Sequence, residues 1–335
     1  MQKLRISVIG AGHLGKIHTK LWKSNENIEL VGIYDIDSKV SAQFAREFSC
    51  KQFKSLDEVI TNSDAVTIAT PTSNHYRTAR QMLEHKIHCF IEKPITSTYK
   101  EAQQLLLLAA EHKVLIQVGH VERFNPALIA LNNEEINPIF IEVHRLSQFK
   151  PRATDVSVIS DLMIHDIDIM LWLVRSQIKR IQANGVSVLT NTPDIANARI
   201  EFENGAVANL TASRISNSPM RKIRIFQKNA YFSVDFANQS VDVFKIPDNN
   251  FDLTHYPLAI NLGSILEAEN PKNIIFYRPE VPQLNAIEEE QKSFVQSIIE
   301  KFPIAVPAQD AAEAVRIANI IERKVRKYEK GILKR

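Results

Sequence analysis

Hydrophobic and polar positions follow two different rhythms along the chain. Up to about residue 120, short apolar runs alternate with stretches in which apolar residues recur every three or four positions. The runs predict buried strands and the stretches between them predict amphipathic helices. The predicted strands are 4–9, 28–34, 65–70, 87–91 and 114–119, and the predicted helices lie near 13–24, 38–49, 74–85 and 98–112. This alternation predicts an α/β Rossmann domain with a doubly wound parallel sheet.

Beyond residue 120 strands dominate the pattern. The predicted elements are helices near 124–134 and 160–174, a strand at 138–147, strands at 178–190, 196–203, 206–213, 221–227, 230–235 and 240–246, and closing helices near 284–300 and 308–329. Asn204-Gly205 predicts a hairpin, and Pro307 and Gly331 bracket the last helix. We expect an α+β domain with a large, mainly antiparallel open sheet. The predicted domains are 1–120 and 121–335, with the C-terminal helices as candidates to pack back on the first domain.

Composition narrows the class of protein. The chain has 335 residues, 44% of them hydrophobic and 24% charged, which suits two globular domains. Its longest apolar runs are too short for a bilayer, and no signal peptide precedes the first strand, so we expect no membrane partner. A net charge of +3 does not indicate nucleic acid. Two cysteines, Cys50 and Cys89, form no close-spaced pair, which favours a reduced cytoplasmic setting.

A glycine-rich turn follows the first predicted strand. The run VIGAGHLGKIH has the spacing Gly-x-Gly-x-x-Gly where that strand passes into a helix. In dinucleotide-binding proteins the three glycines permit a tight turn, close approach of a diphosphate, and close helix–strand packing. The diphosphate would rest on the amides at the helix N-terminus. The residues assigned to the cofactor here are Gly10, Gly12, His13, Leu14 and Gly15.

An acidic residue follows the second predicted strand. Asp35 occupies the position at which a carboxylate accepts hydrogen bonds from the adenosine ribose and repels a 2′-phosphate. Ile36, rather than an arginine, comes next. The cofactor we predict is therefore NAD rather than NADP.

Polar residues also follow strand 65–70. Ligands of open parallel sheets bind beyond the carboxyl ends of the strands, so these residues are candidates for cofactor contact. Alternatively, Pro71 ends the strand and Ser73 or Asn74 caps the next helix, and both roles can coexist. The residues assigned to the cofactor are Thr70, Pro71, Thr72, Asn74 and His75.

The run CFIEKPIT, residues 89–96, places a lysine at the same edge of the sheet. Lys93 follows strand 87–91 and precedes Pro94. A solvated lysine beside Glu92 is the alternative, but function concentrates on loops at this edge. We assign Glu92 and Lys93 to the cofactor side of the site and favour a functional role for the lysine.

The run SDLMIHDIDIMLWLV carries an acid and a histidine on one helix face. Asp161 and His165 are four residues apart, and Asp168 continues that face. Histidine beside an acid is suited to general-base chemistry near neutral pH, although many such histidines are merely buried. A metal site is disfavoured, since no further His/Cys cluster supports it and a nearby lysine would oppose a cation.

These motifs together resemble the glucose–fructose oxidoreductase/inositol dehydrogenase/rhizopine-catabolism (Gfo/Idh/MocA) family over nearly the whole chain. The resemblance implies that Lys93, Asp161 and His165 are catalytic and surround a substrate carbinol beside the nicotinamide. Lys93 would bind the hydroxyl oxygen and His165 would take its proton, while Asp161 orients the sugar and the histidine. Lysine could equally share the role of base.

Two further runs, VGHVERFNPA and FKPRATDVSVISDLMIHDID, resemble the UDP-N-acetylglucosamine 3-dehydrogenase branch of that family. The resemblance implies a nucleotide-sugar substrate, with a partner aminotransferase that makes a 3-amino sugar for cell-envelope glycans or lipid A. A diphosphate needs cations. The substrate candidates are Arg123, Asn125 and Arg152, with Arg145 and Lys150 as weaker ones. Alternatively, Asn125-Pro126 starts a helix and Arg145 is an exposed strand-end charge. Where many relatives have a glycine-rich run, this chain has Ser157-Val158-Ile159-Ser160.

Two other functions remain open from the sequence. A dehydrogenase of a free sugar or inositol would use the same scaffold without a diphosphate site. A non-catalytic NAD-binding regulator would be expected to have lost Lys93 or His165, and the chain keeps both. The family resemblance implies a homodimer or homotetramer, and the second sheet should pair with a copy of itself if one of its faces lacks helical cover.

Overall fold

A parallel sheet organises the first part of the chain in this computed structural model, which describes residues 3–150, 156–247, 258–265 and 272–332. Its strands are β1 (Leu4–Ile9), β2 (Ile28–Tyr34), β3 (Lys51–Gln52), β4 (Ala65–Ile68), β5 (His88–Glu92) and β6 (Ile116–Gly119). They lie in the order β3-β2-β1-β4-β5-β6, and each described pair is parallel. The order reverses between β1 and β4, which is where doubly wound sheets bind ligands. The predicted Rossmann fold is confirmed.

Helices alternate with these strands because strands β1, β4, β5 and β6 are mostly buried and need cover on both faces. They are α1 (His13–Ser24), α2 (Ser38–Phe48), α3 (Leu56–Asn62), α4 (Thr72–Glu84) and α5 (Tyr99–His112). Trp22 of α1 is fully buried and its indole nitrogen donates to Thr67 Oγ1 of β4 at 2.8 Å. This contact fixes α1, and hence the glycine turn at its start, against the centre of the sheet.

The second sheet is mainly antiparallel, as predicted. Its strands are β7 (Phe140–Leu146), β8 (Ile178–Val186), β9 (Ile195–Phe202), β10 (Val207–Ser213), β11 (Met220–Gln227), β12 (Ala230–Asp235), β13 (Ser240–Lys245), β14 (Ile260–Ile265) and β15 (Lys272–Tyr277). Their order is β14-β15-β13-β12-β11-β7-β10-β9-β8. Among these described strands β7 and β10 form a parallel pair, and the other neighbours run antiparallel. The predicted hairpin joins β9 to β10, with Gly205 at φ +88°.

Short helices precede and follow β7. They are a 3₁₀ turn (Val121–Phe124), α6 (Pro126–Ile129), a π-helix (Ile159–Met163) and α7 (Ile164–Val174). The chain ends in α8 (Ala286–Ile299) and α9 (Ala308–Ile332). Residues up to Val121 and Asn285–Arg316 form one compact unit, and Glu122–Leu284 with Ile317–Arg335 form the other. The predicted domain bounds, as bounds of independently folding domains, stay a prediction.

Several predicted elements differ in extent. The helix near 124–134 is wrong beyond Ile129, because Asn132 and Asn133 lie in turns, which asparagine favours over a helix interior. The strand at 178–190 ends at Val186, since Asp194 Oδ2 accepts the backbone N–H groups of the next turn. Helix α9 continues through Gly331 instead of ending before it.

Other elements were not predicted. The segment containing β3 and α3 lacks a long apolar run, although Ser55 caps α3 by accepting the N–H of Glu58. The pair β14–β15 is interrupted by a register shift between Asn261 and Gly263, which disturbs the alternation that would reveal a strand. The first turn of the helix predicted at 160–174 is a π-helix.

Candidate active site

The glycine turn lies at the carboxyl end of β1, and its three glycines have different reasons to be there. Gly10 has φ +103°, and a Cβ on it would lie 2.6 Å from the carbonyl oxygen of Ala69. A Cβ on Gly15 would lie 1.9 Å from the carbonyl oxygen of Gly10. A Cβ on Gly12 would meet none of the described atoms within 4 Å. Packing therefore requires Gly10 and Gly15, whereas Gly12 leaves open space of the kind a diphosphate needs.

The surroundings of this turn are suited to NAD. Gly12 is the N-cap residue of α1, and within the described residues no side chain caps this helix, so its first amides face the open turn. His13 and Leu14, the first residues of α1, are exposed beside it. Asp35 follows β2, and its Oδ2 accepts the N–H of Ala11 at 2.6 Å. The acid thus lies directly against the turn, in the place of a ribose-binding carboxylate.

The segment after β4 borders the same edge of the sheet. Pro71 is the N-cap residue of α4 and Thr72 its first residue, so the alternative that Ser73 or Asn74 caps the helix is wrong. Asn74 is exposed, and Thr70 and Thr72 are half-buried.

His75 joins this segment to the turn that follows β5. Its Nδ1 lies 2.8 Å from the carbonyl oxygen of Pro94 and its Nε2 lies 2.8 Å from that of Thr70. Burial lowers the pKa of His75, against the two carbonyl groups, which favour the charged form. The imidazole therefore connects two cofactor-side turns instead of projecting from them.

Lys93 lies immediately beyond β5, half-buried, with a cis peptide bond to Pro94. The preceding residue, Glu92, is buried and its Oε2 accepts the N–H of Lys93 at 3.2 Å. Burial acts to raise the pKa of Glu92, but the hydrogen bond from His18 and the charge of Lys93 outweigh it and hold that pKa below its usual value. An ionised carboxylate therefore lies next to the lysine. Contacts of Glu92 and Lys93 with the cofactor stay predictions.

The acid and histidine of the second unit share one helical segment. Asp161 lies in the π-helix and His165 in the first turn of α7, and both are half-buried. The π-helix is supported at its start by Ser157, whose carbonyl oxygen accepts the N–H of Asp161 at 3.0 Å and whose hydroxyl donates to Glu322. Single π-turns within helices are frequent at functional sites, because they re-aim side chains.

Arg123, a predicted substrate residue, is held by an aspartate of α7. Its Nε and one terminal nitrogen donate to Asp168 at 2.8 and 2.7 Å, and the two side chains are 5% and 1% exposed. A bidentate pair of this kind fixes the plane of the guanidinium. It also explains Asp168, which the sequence left as a weak metal candidate. Substrate contact by Arg123 stays a prediction.

Arg145, a weaker substrate candidate, is buried in ion pairs. The alternative of an exposed strand-end charge is wrong, because Arg145 is 3% exposed and pairs with Asp166 and Glu122 at 2.8 Å each. Burial acts against its charge, but the two carboxylates keep its pKa above the usual value.

The other substrate candidates have different outcomes. Asn125 is buried and uses its amide within the protein: its oxygen accepts the N–H of Ala127, and its nitrogen donates to Glu122 and to the carbonyl oxygen of Phe236. This favours the alternative that it starts α6, and its contact with substrate stays a prediction. Lys150 is exposed. Arg152 lies outside the described residues.

Sequence reasoning missed the buried partners of these groups, above all His18 and Gln291. The available signal for His18 was its spacing: it falls three residues after Gly15, on the buried face of α1. Gln291 gave no signal, because its role depends on a contact between residues 273 positions apart.

The described residues contain no group of three or more His, Cys, Asp or Glu side chains arranged to hold a metal ion. None of the described helices is long and apolar enough to cross a membrane.

The parallel sheet, the open glycine turn and the acid after β2 define a dinucleotide-binding protein. The family model described as "Oxidoreductase family, NAD-binding Rossmann fold" matches residues 4–120, and the "GFO/IDH/MocA C-terminal domain" matches residues 140–233. The chain belongs to the Gfo/Idh/MocA family of oxidoreductases, and its predicted cofactor, NAD, is confirmed.

Individual relatives are consistent with this. The chain is 39% identical over 245 residues to UDP-N-acetylglucosamine 3-dehydrogenase of Acidithiobacillus ferrooxidans, covering 73% of this chain and 78% of that protein. A solved structure of UDP-N-acetylglucosamine 3-dehydrogenase GnnA from the same organism superposes with a TM-score of 0.87 at 31% identity, covering 98% and 99% of the two chains. Scyllo-inositol 2-dehydrogenase (NAD(+)) of Bacillus subtilis is 29% identical over 75% of this chain and 80% of its own.

Proposed function

We propose that this oxidoreductase oxidises the 3-hydroxyl of UDP-N-acetylglucosamine to a ketone, using NAD. The observation that carries the proposal is the 39% identity to a relative of that name over 73% of the chain. The structural neighbour GnnA, similar over 98% of the chain, supports it. The residues that the chemistry requires, Lys93, Asp161 and His165, are all present.

Each of these residues has a distinct role in the proposed reaction. NAD, when bound, accepts the hydride that leaves the carbinol carbon. Lys93 donates a hydrogen bond to the hydroxyl oxygen, and its charge stabilises negative charge that develops there. His165 takes the hydroxyl proton as the hydride leaves, which avoids a free alkoxide. Asp161 orients the sugar and the imidazole.

We propose three residues that bind the nucleotide sugar. A diphosphate is bound best by planar, bidentate arginine groups, for which we propose Arg123 and Arg152. Arg123 is held by its pair with Asp168, and we propose that the guanidinium oriented in this way contacts the diphosphate. Asn125 is proposed to contact a hydroxyl or acetamido group, although its amide also caps α6.

A dehydrogenase of a free polyol is the second candidate, because the chain is 29% identical to scyllo-inositol 2-dehydrogenase over 75% of its length. Such an enzyme would share the catalytic residues but would have no use for the arginines. Loss of affinity on replacing Arg123 or Arg152 therefore discriminates between the two.

The proposed reaction implies a setting. A 3-keto nucleotide sugar is consumed by an aminotransferase, and we propose that the resulting 3-amino sugar enters cell-envelope glycan or lipid A synthesis. We place the enzyme in the cytoplasm, in keeping with its two free cysteines, Cys50 and Cys89. We further propose a homodimer or homotetramer.

Formation of NADH by the purified protein tests the proposal. UDP-N-acetylglucosamine is compared with UDP-glucose, free N-acetylglucosamine and myo-inositol, with an aminotransferase and amino donor present to remove the ketone. We expect turnover of UDP-N-acetylglucosamine alone, lowered about 100-fold or more by His165→Ala, the range for loss of a general base, and abolished by Lys93→Ala. Turnover of inositol instead would establish the second candidate.

A further inference from the structure

A network of buried polar side chains, which we call the His18 network, lies behind the Glu92–Lys93 turn, within the first unit. His18, on α1, is fully buried and its Nε2 lies 2.7 Å from Glu92 Oε1. Gln291, on α8, places its Nε2 2.9 Å from His18 Nδ1 and 3.2 Å from the carbonyl oxygen of His18. The His18 network thus extends from α8, through α1, to Glu92, the residue that precedes the lysine.

Geometry determines which atoms of the His18 network donate hydrogen bonds and which accept them. A carbonyl oxygen can only accept, so the Gln291 atom facing the His18 carbonyl must be the amide nitrogen. The same nitrogen faces Nδ1, which must then be the unprotonated ring atom. His18 therefore carries its proton on Nε2 and donates it to Glu92. Glu92 accepts from His18 on one oxygen and from the Lys93 N–H on the other, as an ionised carboxylate does.

Close packing leaves the side chains of the His18 network little freedom to move. The His18 ring meets Phe90 edge-on at 5.1 Å between centroids, and Phe90 in turn meets Phe294 at 5.8 Å. On the other side, a Cβ on Gly119 of β6 would come within 3.1 Å of the Glu92 carboxylate. A buried carboxylate destabilises the protein unless it is paired and hydrogen-bonded, so removing one of its partners is strongly destabilising.

We propose that His18 and Gln291 are positioning residues for catalysis: through Glu92 they set the place and the electrostatic surroundings of Lys93. This inference rests on the proposed function in that Lys93 acts on the substrate hydroxyl. Its physical basis is that α1 carries both the glycine turn, at Gly12–Gly15, and His18. The His18–Glu92 bond therefore couples the helix that receives the cofactor diphosphate to the lysine.

The first test separates positioning from simple stability. His18→Leu removes the donor, Glu92→Gln removes the charge at nearly constant shape, and His18→Gln offers an amide donor in place of Nε2. We expect His18→Leu and Glu92→Gln to lower kcat about 10- to 100-fold, the range for small misplacements of a catalytic group. The Kd for NAD should change little in His18→Leu, which keeps the predicted cofactor contact of Glu92. His18→Gln should recover most of the rate. The double variant His18→Leu/Glu92→Gln should be no slower than the slower single variant, because both act through one interaction.

Matched controls are His85→Gln and Glu84→Gln, at the exposed end of α4. Both should keep the wild-type kcat. Folded His18→Leu with unchanged kcat would overturn the proposal, as would parallel loss of kcat and NAD affinity in every variant, since that is the signature of a structural role.

A second test needs neither substrate nor a folded His18→Leu variant. Nitrogen-15 NMR of the wild-type protein should show His18 protonated at Nε2 and unprotonated at Nδ1. The rate of acylation of Lys93 by acetic anhydride, followed by mass spectrometry, should change several-fold in Glu92→Gln, because the weaker hydrogen bonds of a neutral amide no longer fix the turn that carries the lysine. The opposite tautomer, or unchanged acylation, would contradict the proposal. If wild-type protein oxidises no sugar, the proposed function fails, whereas these two measurements still decide the role of His18.

Discussion

At the scale of single residues, the glycine turn separates two requirements that its motif combines. Gly15 lies against the backbone of Gly10, so close packing requires a glycine there. Gly12 borders open space, so we infer that ligand binding requires the glycine at this position. The sequence motif alone does not distinguish a glycine required for packing from one required for ligand binding. The difference becomes measurable when each glycine is replaced by the same small side chain.

We expect Gly15→Ala to destabilise the protein and Gly12→Ala to spare its stability. A Cβ on Gly15 would lie 1.9 Å from a carbonyl oxygen, so the turn must shift, and we expect Tm to fall by several degrees. Gly12 has φ −80°, which alanine adopts readily, but the added methyl would occupy space predicted for the diphosphate. Tm should stay near the wild-type value while the Kd for NAD rises about 10-fold or more, equivalent to about 1.4 kcal/mol. Thermal unfolding and calorimetric titration of both variants check this, and unchanged NAD affinity of Gly12→Ala would contradict it.

Residues at strand ends were predictable because position alone defines them. Asp35 and Lys93 follow buried apolar runs, and the carboxyl edge of a parallel sheet brings such residues to one place. His18 was not predictable in the same way. Its role depends on Glu92 and Gln291, which are distant in sequence, and local periodicity carries no information about such pairs.

At the scale of elements, α7 illustrates a helix whose polar residues face in several directions. His165 belongs to its half-buried side, while Asp166 and Asp168 reach two buried arginines, Arg145 and Arg123. The apolar pattern predicted the helix, but it could not show that two acids among the apolar residues are buried. Charged side chains are rarely buried without partners, and those partners lie on other elements.

The Arg123–Asp168 pair provides a prediction for this element. Asp168→Ala removes the bidentate partner of a buried arginine, and we expect it to lower the free energy of unfolding by about 3–5 kcal/mol. Replacing both residues, as in Arg123→Met/Asp168→Leu, should restore much of this, since a buried pair can be exchanged for apolar packing. Urea unfolding of the single and double variants measures the effect.

The same double variant tests whether Arg123 also serves the substrate. If it binds the diphosphate, the stable double variant should still show a raised KM for UDP-N-acetylglucosamine. A double variant with both stability and KM restored would limit Arg123 to a structural role.

At the scale of the whole molecule, most strands of both sheets were predictable from periodicity, because continuous apolar runs and alternating runs are different signals, whereas β3, β14 and β15 were not. The alternation in the second sheet has a further consequence. On the face opposite its buried residues, register places Phe140, Phe226, Tyr231, Phe244 and Phe276 next to one another across five strands. We call these five residues the aromatic row. Neighbouring ring centroids lie 4.7 to 5.8 Å apart, and all five side chains are partly exposed.

We expect the aromatic row to lie in the interface of the proposed homo-oligomer. Contiguous aromatic surface is characteristic of interface centres, and a stable dimer typically buries about 1,600 Å² in total. The double variant Phe226→Glu/Tyr231→Glu should therefore shift the protein to monomers, because carboxylates at the centre of such an interface would be buried without partners. Light scattering coupled to size-exclusion chromatography gives the mass directly. Leu107→Glu is the control, since it places a carboxylate at another exposed apolar site, on α5. An oligomer that survives in the double variant would assign the interface to a different surface, and a monomeric wild-type protein would contradict the proposed assembly itself.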